Sequence, residues 1–118
     1  MSDQERANGL VEQANELQKA GDKLTAAPMY VEAAQLFAPY ASFALVAGDT
    51  YSASGQDEQA IEAYRVCIAG VPDHDQAWLG LGEVLKRSGN ESEARDAYKR
   101  AGVAYPADGF LKRWFGIG

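Results

Sequence analysis

Five of six marked residues of this chain return at an offset of 34 and the sixth, Tyr51, is replaced by Leu: Gly48, Tyr51, Gly55, Ala60, Tyr64 and Pro72 are answered by Gly82, Leu85, Gly89, Ala94, Tyr98 and Pro106. One period earlier the same places hold Ala14, Leu17, Gly21, Ala26, Tyr30 and Ala38, with Pro39 one residue late. A fixed period of this length implies a stack of like units, each able to bury its apolar face only against a neighbour. Three copies, over 7–40, 41–74 and 75–108, take up nearly all of the 118 residues. They read as one domain.

Each copy reads as helix, turn, helix. In the third, Ala77, Trp78, Leu81, Val84 and Leu85 keep the spacing that puts them on one helical face. Gly89-Asn90 interrupts, and Ala94, Ala97, Tyr98 and Ala101 resume the spacing. Asn90 with Glu93, and Asp73 with Gln76, have the form of capping boxes at the two helix starts. Gly21, Gly55 and Gly89 suit the positive φ of a helix end. Gly48 and Gly82 face Ala60 and Ala94 across a close helix contact, with Tyr64 and Tyr98 filling the remaining space. Trp78 is expected to be largely buried between the helices of its copy. Cys67 shares its place with Ala33 and Ala101, which makes it a buried small residue rather than a reactive thiol. The first copy departs from the pattern twice. Gln13 stands where Ala47 and Leu81 follow, so it should be partly exposed. Pro28 removes an amide donor early in the second helix, which predicts a late start near Thr25.

The order small residue, aromatic or Leu, loop Gly, Ala, aromatic, Pro resembles the tetratricopeptide repeat, and Trp78, Leu81, Gly82, Leu85, Gly89, Ala94, Tyr98, Ala101 and Pro106 follow it most fully. The resemblance implies an all-α solenoid: helix-turn-helix repeats in a right-handed superhelix, with the first helices lining its inner, concave face. It also implies a short C-terminal capping helix, and 109–118 is the candidate segment. One binding mode of the family, a carboxylate clamp of Lys, Asn and Arg, has no counterpart. The matching places hold Val11, Asn15, Val46, Gln76 and Gly80, and only Asn15 fits.

The net charge of −6 is unevenly spread: residues 1–74 carry 4 basic and 11 acidic side chains (−7), and residues 75–118 carry 7 and 6 (+1). An acidic body argues against nucleic acid as a partner. The basic side chains near the C-terminus are interleaved with acids, as on a solvated helix face. With no long apolar run and no secretory-type start, no membrane insertion is expected and the expected location is cytoplasmic. One cysteine excludes an intrachain disulfide. His74 between Asp73 and Asp75 reads as a solvated turn rather than a metal site. No nucleophile–base pair, phosphate loop or paired metal ligands are found, so neither an enzyme nor a cofactor is expected.

The expected activity is that of a protein-interaction adaptor holding a partner polypeptide in the concave groove. Val11, Leu45 and Leu79 recur at the period as an aliphatic line, with Asn15, Asp49 and Glu83 as a polar line one turn on. With Val46 and Lys86 these are the candidate partner-binding residues, the aliphatics giving affinity and the acids meeting peptide backbone, Lys or Arg. The resemblance also allows a small secretion-type chaperone for a hydrophobic client. Phe110, Leu111, Trp114 and Phe115 form an apolar tail at helical spacing. They are expected to cap the third repeat of a monomer, the alternative being a homodimer or self-assembling subunit joined through the tail.

Overall fold

The computed structural model describes residues 1–106, which form six α-helices: α1 (Asp3–Lys19), α2 (Lys23–Leu36), α3 (Phe43–Ala53), α4 (Asp57–Gly70), α5 (Asp75–Arg87) and α6 (Glu91–Ala101). No strand occurs among the described residues. The tail residues Phe110, Leu111, Trp114 and Phe115, and with them the cap expected over 109–118, lie outside the described residues. Each helix packs on the next in sequence, α3 also touches α5, and α2 also touches α4. First helices therefore lie beside first helices and second beside second.

The three intra-pair turns share one construction. Gly21, Gly55 and Gly89 sit at φ of +87°, +77° and +87°. After each, a backbone N–H reaches back to the preceding helix: Asp22 to Leu17 at 2.8 Å, Gln56 to Tyr51 at 2.9 Å and Asn90 to Leu85 at 2.9 Å. That bond satisfies a carbonyl the helix end would otherwise leave open.

Helix starts differ from expectation. The N-cap of α5 is His74, whose Nδ1 accepts from Ala77 N–H at 3.3 Å; Asp73 takes no part. Asn90 is the N-cap of α6 but makes no side-chain cap bond, and the Glu93 side chain pairs with Arg65 of the preceding repeat at 3.1 Å rather than returning to the cap. A complete capping box does occur at Ser2 and Glu5, before α1. Nor does α2 start late. Asp22 caps it by accepting from Thr25 N–H at 3.3 Å, so the helix begins at Lys23 and carries Pro28 inside it. Pro28 and Leu24, whose carbonyl loses its i+4 donor, are both exposed, so water can take the missing partner's place.

The core is built mainly of alanines, because the helices approach too closely for larger side chains. Ala14, Ala26, Ala47, Ala60, Ala77 and Ala94 are each 0% exposed, as is Cys67. Tyr30, Tyr64 and Tyr98 are the large buried side chains that recur with the period. Tyr64 is held hardest. A Cβ placed on Gly48 would lie 2.6 Å from its ring, and one on Gly80, from the next repeat, 2.5 Å. Two glycines on adjacent first helices thus make the slot for one ring. Gln13 is exposed, as expected.

Trp78 is half-buried rather than enclosed. Its Nε1 donates to the Pro72 carbonyl at 2.7 Å, and the Arg100 guanidinium lies 4.9 Å from the ring centroid. The indole therefore fastens the inter-repeat turn to α5.

Gly48→Ala separates helix propensity from packing. Alanine in place of a helical glycine gains about 0.5–1 kcal/mol, but here the methyl meets a ring that is confined from the opposite side. Overpacking of this kind costs about 1–3 kcal/mol, and Gly48→Ala is expected to lower the thermal midpoint. Gly9→Ala, at an exposed site with nothing within 4 Å of the new Cβ, is expected to raise it. Thermal melts of the two variants check the contrast, and a rise in both would contradict the slot.

Candidate functional site

The face shared by the first helices carries the side chains singled out from the period. Asn15 and Asp49 are exposed, and each is held from below by a tyrosine of its own repeat. Tyr30 Oη donates to Asn15 Oδ1 at 2.6 Å, and Tyr64 Oη donates to Asp49 Oδ1 at 2.6 Å. Two members of the polar line therefore stand on buried tyrosines. Glu83, the third member, is exposed. Among the described residues Tyr98 makes no corresponding hydroxyl bond to it, but the Glu83 charge acts on both Tyr64 and Tyr98.

The aliphatic line is not uniform. Val11 is half-buried and packs against the cluster around Ala14, Tyr30 and Ala47. Leu45 is half-buried and lies against two clusters, one around Tyr64, Leu81 and Leu85 and one around Ala44 and Cys67. Leu45 therefore serves the stack as much as the open face. Leu79 is also half-buried but packs against none of the three core clusters, which leaves it the freest of the line. Val46 packs against the first cluster and also walls an open cleft. Lys86 is half-buried, its Nζ 5.8 Å from the centroid of Tyr105.

That cleft lies at the seam between the first and second repeats. It encloses about 460 Å³ and is walled by Gln18 of α1, Lys23 and Leu24 of α2, and Val46, Asp49, Thr50 and Ala53 of α3, with Ser54. Leu24 is 47% exposed, one of few large apolar side chains so open. The period pointed to Val46 and Asp49 here but not to Lys23 or Leu24, which sit at the start of a second helix. Their signal was available as an apolar side chain at a helix start with no core partner.

The seam between the second and third repeats is built differently. Arg87 reaches across it, with Nη2 2.6 Å from Asp57 Oδ1 and 3.3 and 3.4 Å from the hydroxyl and carbonyl oxygens of Ser52. Its Nε also donates to Asp57 Oδ1 at 3.2 Å. The hydrogen bond to Asp57 pushes the Arg87 guanidinium up and keeps it charged.

Burial, the bond to Asp49 and the charges of Asp49 and Glu83 push the Tyr64 hydroxyl far above its ordinary value. It stays protonated, and donating, across the physiological range. Burial likewise pushes the Cys67 thiol up, which keeps it out of thiolate chemistry. Among the described residues no group of three or more His, Cys, Asp or Glu could hold a metal ion. No helix among them is long and apolar enough to cross a membrane.

Tetratricopeptide repeat models match residues 41–69 and 76–108, which are the second and third helix pairs. Together with the three like turns and the stacked pairs, these matches settle the family. The chain belongs to the tetratricopeptide repeat family. No curated protein matches it. Tetratricopeptide repeats generally mediate protein–protein interaction and are typically non-enzymatic.

The tyrosine supports can be weighed one by one. Tyr64→Phe removes the bond to Asp49 while leaving that carboxylate in water, so the expected loss is a net hydrogen bond of about 0.5–1.5 kcal/mol. Tyr98→Phe removes no such bond and is expected to change stability by less. Urea denaturation of both variants is the check, and equal losses would contradict the assignment.

Proposed function

We propose that this protein is an interaction module that holds a segment of a partner polypeptide along the face of α1, α3 and α5. The observation that carries the reading is the open cleft beside Val46 and Asp49, where aliphatic and hydrogen-bonding groups face outward together. A helix that joins a stack needs only one apolar stripe, and the core side of the first helices already supplies it. Aliphatic side chains on the other side, among polar ones, are what an extended or helical ligand uses for affinity and register. Leu79 is the partner anchor on the third repeat. Asn15, Asp49 and Glu83 offer acceptors to ligand N–H groups or to a Lys or Arg, and Lys86 gives the far end a positive charge. Val11 and Leu45 shape the floor while holding the stack.

The two roles of the aliphatic line give the test. Leu79→Asp is expected to leave the melting temperature nearly unchanged and to cut capture of native-source partners by about tenfold or more, the loss of a desolvated aliphatic anchor. Leu45→Asp is expected to destabilise the fold itself, by about 2 kcal/mol or more, because it forces a charge against two clusters. Lys99→Ala, on the exposed side of α6, serves as a control bait that keeps capture. Quantitative mass spectrometry of proteins held by each bait decides the matter. Equal capture by the parent, Leu79→Asp and Lys99→Ala baits would rule the face out.

A further inference from the structure

The two seams of this stack use equivalent positions in opposite ways. At the second seam Arg87 from α5 spans to Ser52 and Asp57. One period earlier, those three places hold Ala53, Gln18 and Lys23. All three wall the cleft of about 460 Å³ at the first seam. The arm that closes the second seam is missing at the first, and the acid it would have met has become a base. Gln18 Oε1, in the place of the Ser52 acceptor, is buried with no hydrogen-bond partner among the described residues. Lys23 makes no ion pair or hydrogen bond among the described residues, and its side chain is exposed.

An unpartnered acceptor and an unpartnered donor on one wall, with Leu24, Val46 and Ala53 as apolar surface, define what fits. A guanidinium, the group used at the other seam, would meet Lys23 with like charge. A carboxylate would meet Asp49. The group that complements both is neutral and carries both a donor and an acceptor. A peptide backbone has this pattern, the N–H of one residue pointing to Gln18 and a carbonyl to Lys23, with the side chain between them on the aliphatic wall. Gln18 is itself only half-buried, and its terminal torsion is soft, so Oε1 can turn to meet an entering donor.

We infer that the cleft between the first and second repeats is a backbone-reading subsite, which takes one branched aliphatic residue of an extended partner segment through its N–H and C=O. This rests on the reading of the first-helix face as a peptide site and assigns the subsite that grips the ligand's main chain. A ligand N–H on Gln18 and a ligand C=O on Lys23 add polar contacts that a purely apolar occupant lacks, so the subsite favours main chain.

The test uses the full chain and a minimal probe, N-acetyl-leucine N-methylamide, followed by two-dimensional ¹H–¹⁵N NMR. The expected result is saturable shifts of the Gln18 side-chain amide and of the Leu24, Val46 and Ala53 backbone amides. Saturation should come at millimolar concentration, about the affinity open to so small a ligand. The double variant Ala53→Arg with Lys23→Asp rebuilds the clamp of the second seam within the first. It should melt at or above the parent temperature and bind the probe at least about tenfold more weakly. A probe methylated on the leucine nitrogen, which has no N–H there, should be weakened likewise. The inference is overturned if no saturable shift appears at these residues, if the clamped variant binds as well as the parent, or if the methylated probe does. Should the clamped variant not fold, Gln18→Leu replaces it, with the same loss expected and undiminished binding overturning the inference. If the probe fails while Leu79→Asp still abolishes partner capture, the subsite falls and the wider reading of the face stands.

Discussion

The stack depends on how closely two first helices can approach one tyrosine. Tyr64 leaves α4, crosses beneath α3 and lies in a slot made by Gly48 on one side and Gly80 on the other. Its ring fills the space two repeats leave between them, and its hydroxyl emerges on the opposite face to hold Asp49. One side chain thus sets the spacing within a repeat, the spacing to the next, and the position of an acceptor on the open face. Alanine elsewhere in the core follows from the same spacing. Helices this close leave room for a methyl and little more.

Much of this could be read from the period. Positions that recur at 34 residues are those where one contact is made three times, so Gly48, Ala60 and Tyr64 announce themselves through Gly82, Ala94 and Tyr98. The turn glycines are legible for the same reason. What the period could not carry are contacts made only once. Asp73 and Asn90 look like caps, yet His74 takes the role at α5 and Glu93 is drawn away to Arg65, because a longer-range partner competes with the local one. Asp22 caps α2 ahead of Pro28, and water can reach the Leu24 carbonyl that the proline leaves without a donor. Leu45 matches Leu79 in sequence but not in surroundings. Its neighbours are supplied by helices on both sides, whereas Leu79 lies on the last first helix among the described residues.

Differences between repeats say more about function than the likenesses do. Where Arg87 ties α5 to Ser52 and Asp57, the first-helix side of the seam is bridged by the protein's own side chain. Where Ala53 stands instead, no arm crosses and an open cleft remains. A repeat array can in this way give each seam a separate job on one backbone plan, one cross-braced and the other free to meet a ligand. The candidate site was legible as a face but not as a cleft, since a cleft is defined by a missing side chain and by helix-start residues outside the face pattern.

The lone cysteine carries a consequence of its own. Cys67 is 0% exposed and packs with Ala44 and Ala77, so it sits where helices of the second and third repeats meet. Its sulfur cannot meet a reagent from solvent until those helices part. The rate at which a thiol reagent consumes it is therefore a clock for separation of neighbouring repeats, supplied by the unmodified sequence. The dependence of that rate on denaturant separates breathing between neighbours, which exposes little surface, from loss of the whole fold, which exposes much.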